Sequence, residues 1–242
     1  MSAIVFSEET RRKLAGCSTA TLTTQLFKRG LRNVFIQNVT RLTREAPRAD
    51  GQSPGCAALS MVGEAYTLRN IPAREDLDHV GVFENSEHPQ RKAIETCPPG
   101  HVLVIDCRGE KRVASGGGIL LTRLQVRGVA GFVSDGALRD TNEIAQLKLP
   151  VYCAGGAAPL NLVHHHATDI NVPIACGGVA VYPGDIMVGD AEGVVVVPRH
   201  LAAEVANDAA EQEVMEEFIT EEIRAGKALP GMYPPNEATK AR

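Results

Sequence analysis

Apolar positions recur at helical spacing early in the chain and predict two helices there. The first is predicted over residues 7–15, because a serine at its start can accept a hydrogen bond from a backbone N–H of the first turn. The second begins after Ser18 and carries Leu22 and Leu26 on one face. Gly30 is suited to end it, since glycine readily adopts the left-handed conformation found at helix C-termini.

Strand-like and helix-like runs alternate through the middle of the chain. Strands are predicted over 61–68, 101–106, 129–133 and 150–153, and helices over 91–96, 118–127 and 141–147. This alternation is typical of βαβ units and predicts an α/β core.

The pattern changes after about residue 170. Polar turns at 183–185 and 190–193 interrupt the apolar runs, which predicts consecutive antiparallel strands joined by tight turns. A long helix rich in glutamate is predicted over 198–226, and the proline- and glycine-rich tail after Ala228 is predicted to be extended or disordered. No linker divides the chain, so residues 1–242 are predicted to form a single domain.

The composition narrows the classes of protein. The chain has 242 residues, 44% hydrophobic and 22% charged, with a formal net charge of −4. Because the net charge is negative, the composition shows no excess of positive charge that would bind nucleic acid or an anionic membrane, so neither is a predicted partner. No apolar run approaches the about 20 residues that cross a bilayer, and the N-terminal residues do not resemble a secretory signal. We therefore expect a soluble, cytoplasmic protein.

The spacing of the cysteines and histidines does not favour a metal site. Six cysteines are dispersed without a C-x-x-C pair, which predicts reduced, partly buried thiols rather than a zinc cage or a disulfide framework. The histidines at 164–166 are consecutive, and successive residues of a strand or helix cannot all point at one ion. We expect these histidines at the surface or at an interface.

The segment 70–90 is polar and has no clear period. It is either a loop that faces a substrate or a solvated connection. The second interpretation is favoured, because most connections only join two elements.

Two features between residues 116 and 143 are candidates for chemistry. Three glycines at 116–118 precede a helix whose first N–H groups can hold an anion, although a tight turn would also need glycines. Further on, Arg139 can bind a carboxylate with two hydrogen bonds, and Asp140 can ligate Mg²⁺ or Mn²⁺. Asp140 and Glu143 are also spaced as a capping box, which on these residues alone is the stronger interpretation.

The spacing that joins these features resembles a known family. Gly118, Arg139, Asp140 and Glu143 match G-x20-R-D-x2-E/D, the pattern of class II pyruvate aldolases that act on 4-hydroxy-4-methyl-2-oxoglutarate and 4-carboxy-4-hydroxy-2-oxoadipate. That family shares its fold with the RraA regulators of RNase E. The likeness extends over residues 18–226, through RGVAGFVSDGALRD, the PGD turn and GDAEGVVVVP.

The resemblance implies a fold and an assembly. The fold would be a single-domain α/β/β/α sandwich with mixed sheets, RraA-like and of the swivelling-domain type. The chain would assemble as a homotrimer or homohexamer with sites at subunit interfaces. It would bind a small 2-oxo acid and use Mg²⁺ or Mn²⁺ as cofactor.

The resemblance also implies residue roles. Asp140 would ligate the metal, with Glu143 and Glu216 as candidates for holding the waters around it. Arg139, Asp140 and Glu216 would be catalytic, Glu216 reaching a neighbouring subunit from the C-terminal helix. Glu213 and Glu217 compete with Glu216 for this role. The implied substrate-binding positions are Gly118, Ile119, Leu120, Leu121 and Arg139.

The implied reaction is retro-aldol cleavage of a 4-hydroxy-2-oxo acid with release of pyruvate, or decarboxylation of oxaloacetate, through a metal-stabilised enolate. Two alternatives stay open: a non-catalytic RraA-type regulator that binds RNase E, and a hydratase or decarboxylase of sugar-derived 2-oxo acids. Family regulators tend to lack the aspartate of the Arg-Asp pair, so Asp140 favours an enzyme. Ile119 stands where aldolases often carry an acidic residue, and 74–91 does not follow the family pattern. The motif therefore does not specify the substrate.

Overall fold

The computed structural model of the chain describes residues 6–43 and 61–240. Its helices are α1 (Glu8–Gly16), α2 (Thr19–Lys28), α3 (Pro89–Thr96), α4 (Gly118–Val126), α5 (Thr141–Ile144), α6 (Ala202–Arg224) and α7 (Glu237–Lys240). Its strands are β1 (Thr40–Arg41), β2 (Met61–Pro72), β3 (His101–Asp106), β4 (Gly131–Ser134), β5 (Val151–Cys153), β6 (His165–Ile170), β7 (Ile174–Cys176), β8 (Val179–Val181), β9 (Ile186–Gly189) and β10 (Val194–Val197). Short 3-10 helices cover Val80–Glu84, Asn161–Val163 and Arg199–Leu201.

The first two helices begin and end as predicted. Ser7 Oγ accepts a hydrogen bond from the Thr10 N–H at 3.1 Å, and Ser18 Oγ accepts one from the Thr21 N–H at 3.1 Å. After α2, Gly30 has a φ of +82°, a left-handed conformation that is unfavourable for residues with a side chain and accessible to glycine. These local signals act over a few residues, which is why they could be identified without the rest of the fold.

One mixed sheet organises the fold in the order β1-β5-β4-β3-β2-β9-β10, with β6 also paired to β2. Strands β2, β3, β4 and β5 are parallel neighbours, as expected for βαβ units. The long strand β2 pairs with β9 through its first residues and with β6 through its last. Strands β7 and β8 form a separate antiparallel pair.

The core lies in layers that follow the alternation of side chains along the strands. In β3, Val102 and Val104 face an inner core shared with β7, β8 and β10. Leu103 and Ile105 face an outer core that contains residues of α3, α4 and α5. On the other side, α1, α2 and α6 pack against β9 and β10. Helices therefore cover both outer faces, and the predicted α/β/β/α sandwich is confirmed.

Predictions that needed long-range pairing were less accurate. Strands β8 and β9 are not paired with each other, because β8 pairs with β7 while β9 pairs with β2 and β10. The expected run of consecutive antiparallel strands is therefore wrong at this point. Strand β6, which pairs with the end of β2, was not predicted.

The tail after Ala228 contains the short helix α7, so the prediction of a purely extended or disordered tail is wrong. Asn236 Oδ1 accepts a hydrogen bond from the Thr239 N–H at 2.9 Å, the usual N-cap arrangement. Thr239 Oγ1 also donates to the Gly231 carbonyl at 2.9 Å. Asn236 is a typical N-cap residue, but Pro234 and Pro235 directly before it favoured the prediction of an extended tail.

The described cysteines are buried and unpaired, as predicted; they are Cys17, Cys97, Cys107, Cys153 and Cys176. Burial raises the pKa of Cys97 to about 12. Cys56 lies outside the described residues.

The histidines at 164–166 are not all at the surface. His165 is 1% exposed, and burial lowers its pKa to about 4. The neighbouring His166 is half-buried, with Nδ1 2.8 Å from Asp78 Oδ1. The prediction of surface or interface histidines is therefore wrong for His165, because β6 turns alternate side chains towards the core. Within residues 6–43 and 61–240, no helix is both long and apolar enough to cross a membrane.

Candidate active site

Two loops run side by side and bring the glycine run to the Arg-Asp pair. A parallel bridge joins Ala114 to Ala137. The Ser115 N–H donates to the Ala137 carbonyl at 2.7 Å, and the Arg139 N–H donates to the Gly116 carbonyl at 3.1 Å. Because β3 and β4 are adjacent and parallel, the loops after their carboxyl ends leave the sheet at the same edge. The glycine run and the Arg-Asp pair are therefore neighbours in space although they are distant in the sequence.

A buried polar network lies beneath these loops. Ser115 Oγ is 2.9 Å from Ser134 Oγ. Asp135, which is 5% exposed, accepts the backbone N–H groups of Cys107 and Gly109 at 2.6 and 3.0 Å. Buried polar groups are costly unless they are hydrogen-bonded, so these contacts favour one arrangement of the loops.

The Asp140 side chain faces the start of α4 and not its own helix. Its φ of 57° and ψ of 37° are left-handed, a conformation that aspartate tolerates better than most residues. Asp140 Oδ2 accepts the Gly118 N–H at 3.0 Å. Within the described ranges the side chain makes no capping bond to α5, whose Glu143 and Ile144 N–H groups donate to the Asp140 carbonyl at 3.1 and 3.0 Å. The capping-box interpretation is therefore wrong.

The first N–H groups of α4 differ in their availability to an anion. The Gly118 N–H is bound to Asp140, and those of Leu120 and Leu121 donate to the Gly117 carbonyl at 3.1 and 3.2 Å. The Ile119 N–H has no acceptor among the residues that the structure describes. Of the four predicted backbone positions, Ile119 is therefore the one whose N–H has no acceptor among the described residues and is available to an anion.

Glycines leave room for the polar groups at the start of α4. A Cβ on Gly117 would lie 2.6 Å from Asp140 Oδ2 and 3.0 Å from Arg139 Nε, while a Cβ on Gly118 would lie 3.0 Å from Glu143 Oε2. Arg139 Nε is itself 3.6 Å from Asp140 Oδ2, and both side chains are partly exposed. The glycines thus permit a close approach that any side chain would obstruct.

These groups open into a cavity of about 170 Å³. Gly117, Ile119, Arg139 and Asp140 line it together with Leu120, so most of the predicted site is brought to one place. Leu121 is fully buried in the core and does not line the cavity.

Six further residues that line the cavity were not predicted: Phe83, Gln90, Arg91, Ala114, Leu160 and Asn161. The interpretation of 70–90 as a solvated connection is therefore wrong at Phe83 and Gln90. Arg91 lies over the Phe83 ring, 4.3 Å from its centroid. Burial, and then the positive charge of Arg139, lower the pKa of Arg91. In the sequence, the only indication that Gln90 and Arg91 could belong to a site is that these two polar residues follow Pro89 at the start of a predicted helix.

The acidic residues fit a divalent cation that keeps several waters. Asp140 Oδ2 and Glu143 Oε2 lie within 3.7 and 3.0 Å of the same point, the position of a Cβ on Gly118. Mg²⁺ is usually held by one or two carboxylates and retains water in its shell. No group of three or more His, Cys, Asp or Glu ligands occurs in the described part of the chain. The donor set therefore suits Mg²⁺ or Mn²⁺ in an open site rather than a closed zinc cage.

The glutamates of α6 are not part of this cavity in the chain that carries them. Glu216 Oε1 accepts a hydrogen bond from Gln212 Nε2 at 2.8 Å. Glu213 Oε1 accepts the Ser18 N–H at 2.8 Å, and Glu217 is exposed. The role of one of them in a neighbouring subunit's site stays a prediction.

Comparison with known proteins assigns the family. The sequence model of the RraA-like family, described as Aldolase/RraA, matches residues 19–196. The chain belongs to the RraA-like family. This confirms the family that the Gly, Arg-Asp and Glu spacing indicated.

Relatives of this RraA-like chain include proteins with aldolase names. One from Halalkalibacterium halodurans, provisionally named a 4-hydroxy-4-methyl-2-oxoglutarate aldolase, is 38% identical over 141 residues, which are 57% of this chain and 67% of the relative. The 4-hydroxy-4-methyl-2-oxoglutarate aldolase of Thermus thermophilus is 33% identical over 109 residues, 45% of this chain and 66% of the relative. The chain thus spans about two thirds of these relatives' length.

A relative of known structure is described as a member of a family of RNase inhibitors and not as an aldolase. RraAS2 of Streptomyces coelicolor, described as an unusual member of the RNase ES inhibitor RraA protein family, is 29% identical. It superposes with a TM-score of 0.72 over 88% of this chain and 96% of its own. The RraA-like family therefore contains both aldolase-named proteins and regulators of RNA processing.

Proposed function

We propose that this RraA-like chain is a divalent-metal-dependent lyase that acts on 2-oxo acids. The observation that carries the proposal is the orientation of Asp140, whose carboxylate lies beside Arg139 at the start of α4 instead of capping α5. An exposed carboxylate next to a cation and a helix N-terminus suits the binding of a metal and an organic anion together. The aldolase names of the relatives support the same reaction class.

In the proposed reaction, the C3–C4 bond of a 4-hydroxy-2-oxo acid breaks. The C4 hydroxyl loses its proton and becomes a carbonyl, while the bonding electron pair passes to C3 and gives the enolate of pyruvate. Protonation at C3 then releases pyruvate. Decarboxylation of oxaloacetate gives the same enolate, with CO₂ as the leaving group.

The chain's own groups are suited to bind and stabilise these species. The Ile119 N–H, at the positive end of the α4 dipole, would bind the 2-oxo acid's carboxylate. The Arg139 guanidinium would bind the pyruvyl oxygens and offset the charge that develops on the keto oxygen. Asp140 and Glu143 would hold Mg²⁺ or Mn²⁺, which supplies Lewis acidity towards the keto oxygen when bound. No lysine Schiff base is needed.

The proposal includes assembly as a homotrimer or homohexamer in the cytoplasm. Glu216 lies outside the cavity of its own chain, so it could take part only in the site of another copy. Sedimentation velocity of the wild-type chain and of Glu216→Gln would measure the assembly, and pyruvate release would measure the activity of each. We expect the assembly to persist and the activity to fall, because Glu216 would serve a neighbouring site rather than hold the subunits together.

Pyruvate release from oxaloacetate and from hydroxylated 2-oxo diacids, with Mg²⁺, with Mn²⁺ and with a chelator, tests the proposed function. Asp140→Asn should abolish most of the metal-dependent activity. Asparagine keeps an acceptor for the Gly118 N–H and tolerates a left-handed φ, so the fold should persist. Asp169→Asn, at an exposed pair with Arg69, is the matched control. Absence of activity with metal, or full activity of Asp140→Asn, would refute the lyase.

A second function, a regulator that binds RNase E, is favoured by the likeness to RraAS2. A pull-down with RNase E separates the two functions. Tight binding that is unaffected by metal or by Asp140→Asn, without pyruvate release, would favour the regulator.

A further inference from the structure

A third loop reaches the cavity beside the two that carry the glycine run and the Arg-Asp pair. It follows β5, the next parallel strand after β4, and so leaves the sheet at the same edge. The Ala114 N–H donates to the Pro159 carbonyl at 2.9 Å, and the Ala157 N–H donates to the Leu138 carbonyl at 2.9 Å. These contacts bring Asn161, the first residue of the following 3-10 helix, into the cavity wall.

Asn161 lies on the inner side of the cavity. Arg91 and Ile119 also line a wider surface hollow of about 480 Å³. Arg139 and Asp140 also line a second hollow of about 420 Å³ on their other side. Asn161 lines neither hollow and is only 6% exposed. A ligand that enters past the Arg-Asp pair would therefore meet Asn161 at its innermost end.

The carboxamide of Asn161 is a polar group without a protein partner. Within residues 6–43 and 61–240 its side-chain atoms make no hydrogen bond, although its backbone carbonyl accepts the His164 N–H at 3.0 Å. Unlike Gln90 Oε1, which protein atoms enclose, this carboxamide faces the open space of the cavity. Polar groups withdrawn from bulk water are usually hydrogen-bonded. A ligand that brings an oxygen atom would provide the missing partner.

The loop holds Asn161 in one position. Arg108 Nη2 donates to the His164 carbonyl at 2.6 Å, and the Ala73 N–H donates to the same carbonyl at 3.2 Å. Leu162, the neighbour of Asn161, is buried. A group on an ordered backbone loses little conformational entropy when it binds a ligand, so the carboxamide is prepared for a specific contact.

One oxygen of a 4-hydroxy-2-oxo acid has no partner in the proposed reaction. The carboxylate is assigned to the Ile119 N–H, and the keto oxygen to Arg139 and to the cation at Asp140. The C4 oxygen remains. It can accept a hydrogen bond from an amide nitrogen as a hydroxyl and as a carbonyl, and most strongly when it becomes negative as the hydroxyl proton leaves. A donor at this position would therefore stabilise the transition state more than the bound substrate.

We propose that Asn161 binds the C4 oxygen of the substrate through Nδ2 and stabilises its negative charge as the C3–C4 bond breaks. This inference rests on the proposed function and adds a catalytic residue from the loop after β5. The three loops then divide the substrate among them. The glycine run binds the carboxylate, the Arg-Asp pair serves the keto oxygen, and Asn161 serves the oxygen of the leaving half.

Pyruvate release from two kinds of substrate tests this role. 4-Hydroxy-2-oxopentanoate and 4-hydroxy-2-oxoglutarate have a C4 hydroxyl, and oxaloacetate has none. With Mg²⁺ present, Asn161→Ala should lower kcat for both hydroxy acids about 10- to 100-fold and change KM little, because the lost hydrogen bond is strongest to the charged oxygen. For oxaloacetate kcat should not fall, since its leaving carboxylate loses charge in the transition state.

Asn161→Asp distinguishes a hydrogen-bond donor from a side chain that only fills space. Aspartate has nearly the shape of asparagine, so it would be the milder substitution if packing were the role of Asn161. As a carboxylate it has no donor and repels a negative oxygen. At pH 8 we therefore expect Asn161→Asp to cleave the hydroxy acids more slowly than Asn161→Ala does.

Asn207→Ala and Asn207→Asp are matched controls, because Asn207 lies on α6 outside the cavity and contacts Lys13 Nζ at 2.8 Å. Both should keep the wild-type rates. Mn²⁺ binding and the midpoint of urea denaturation should be nearly the same in Asn161→Ala and the wild type, since the carboxamide has no bond to lose among the described residues.

The outcomes separate this inference from the proposed function. If the wild type releases pyruvate from none of the three acids, the lyase itself is refuted. If it decarboxylates oxaloacetate but cleaves neither hydroxy acid, the lyase stands and the role of Asn161 is overturned. Equal losses of kcat on hydroxy acids and oxaloacetate in Asn161→Ala, or faster cleavage by Asn161→Asp than by Asn161→Ala, would also overturn it.

Discussion

Replacement of Gly117 by alanine should disable the site and leave the fold intact. The new Cβ would lie 2.6 Å from Asp140 Oδ2 and 3.0 Å from Arg139 Nε. Since non-bonded carbon contacts prefer about 3.5–4.0 Å, the carboxylate must move by about 1 Å. The φ of −145° and ψ of 179° at Gly117 are open to alanine, so the backbone itself is not strained.

The two expected effects of Gly117→Ala differ in size. Weakening the bond from Gly118 to Asp140 should lower the free energy of unfolding by about 1–2 kcal/mol. A displacement of about 1 Å at a reacting centre costs about 100-fold in rate, or about 2.7 kcal/mol of transition-state stabilisation. Urea denaturation measures the first effect. Metal-dependent pyruvate release and Mn²⁺ binding measure the second.

Gly116→Ala is the matched control. Its Cβ would meet the side chains of Leu121 and Leu138 at 3.5 Å, an ordinary contact, so activity should stay within about threefold of wild type. Wild-type activity in Gly117→Ala would refute the reasoning that the position of Asp140 determines catalysis. An equal loss in both variants would show that any side chain in the glycine run disturbs the site.

Two further predictions concern buried titratable groups. Burial lowers the pKa of His165 from 6.5 to about 4, so the folded state keeps a neutral ring while the unfolded chain takes up a proton. The neutral ring of His165 therefore stabilises the fold above pH 6.5, and about 3 kcal/mol of the free energy of unfolding is lost as the pH falls towards 4. In urea titrations at several pH values, His165→Gln should reduce this dependence of the free energy of unfolding on pH. The same pH dependence in His165→Gln and the wild type would contradict the assignment of the effect to His165. Burial raises the pKa of Cys97 to about 12, so a thiol reagent at about pH 8 should label it only after unfolding. Rapid labelling of Cys97 in the native protein, mapped by mass spectrometry, would count against its burial.

The sequence determined the features that depend on neighbours along the chain. Ser7 and Ser18 begin helices because their hydroxyls bond to N–H groups of the next turn. The apolar run of β3 is buried on both faces, as a continuous hydrophobic pattern requires. The spacing from Gly118 to Glu143 also identified the two halves of the site, although neither half was convincing alone.

The tertiary structure decided which side chains meet. Asp140 faces α4 rather than α5 because the adjacent parallel strands β3 and β4 deliver both loops to one sheet edge, a pairing distant in sequence. The same distance conceals Gln90 and Arg91, whose local pattern marks only the start of a helix. Among the residues that the structure describes, Gln90 Oε1 is buried without a hydrogen-bond partner and Arg91 rests on the Phe83 ring, and both facts depend on the fold. The sequence thus indicated where chemistry could occur, and the fold determined which side chains line the cavity, because contacts between distant segments leave no local pattern.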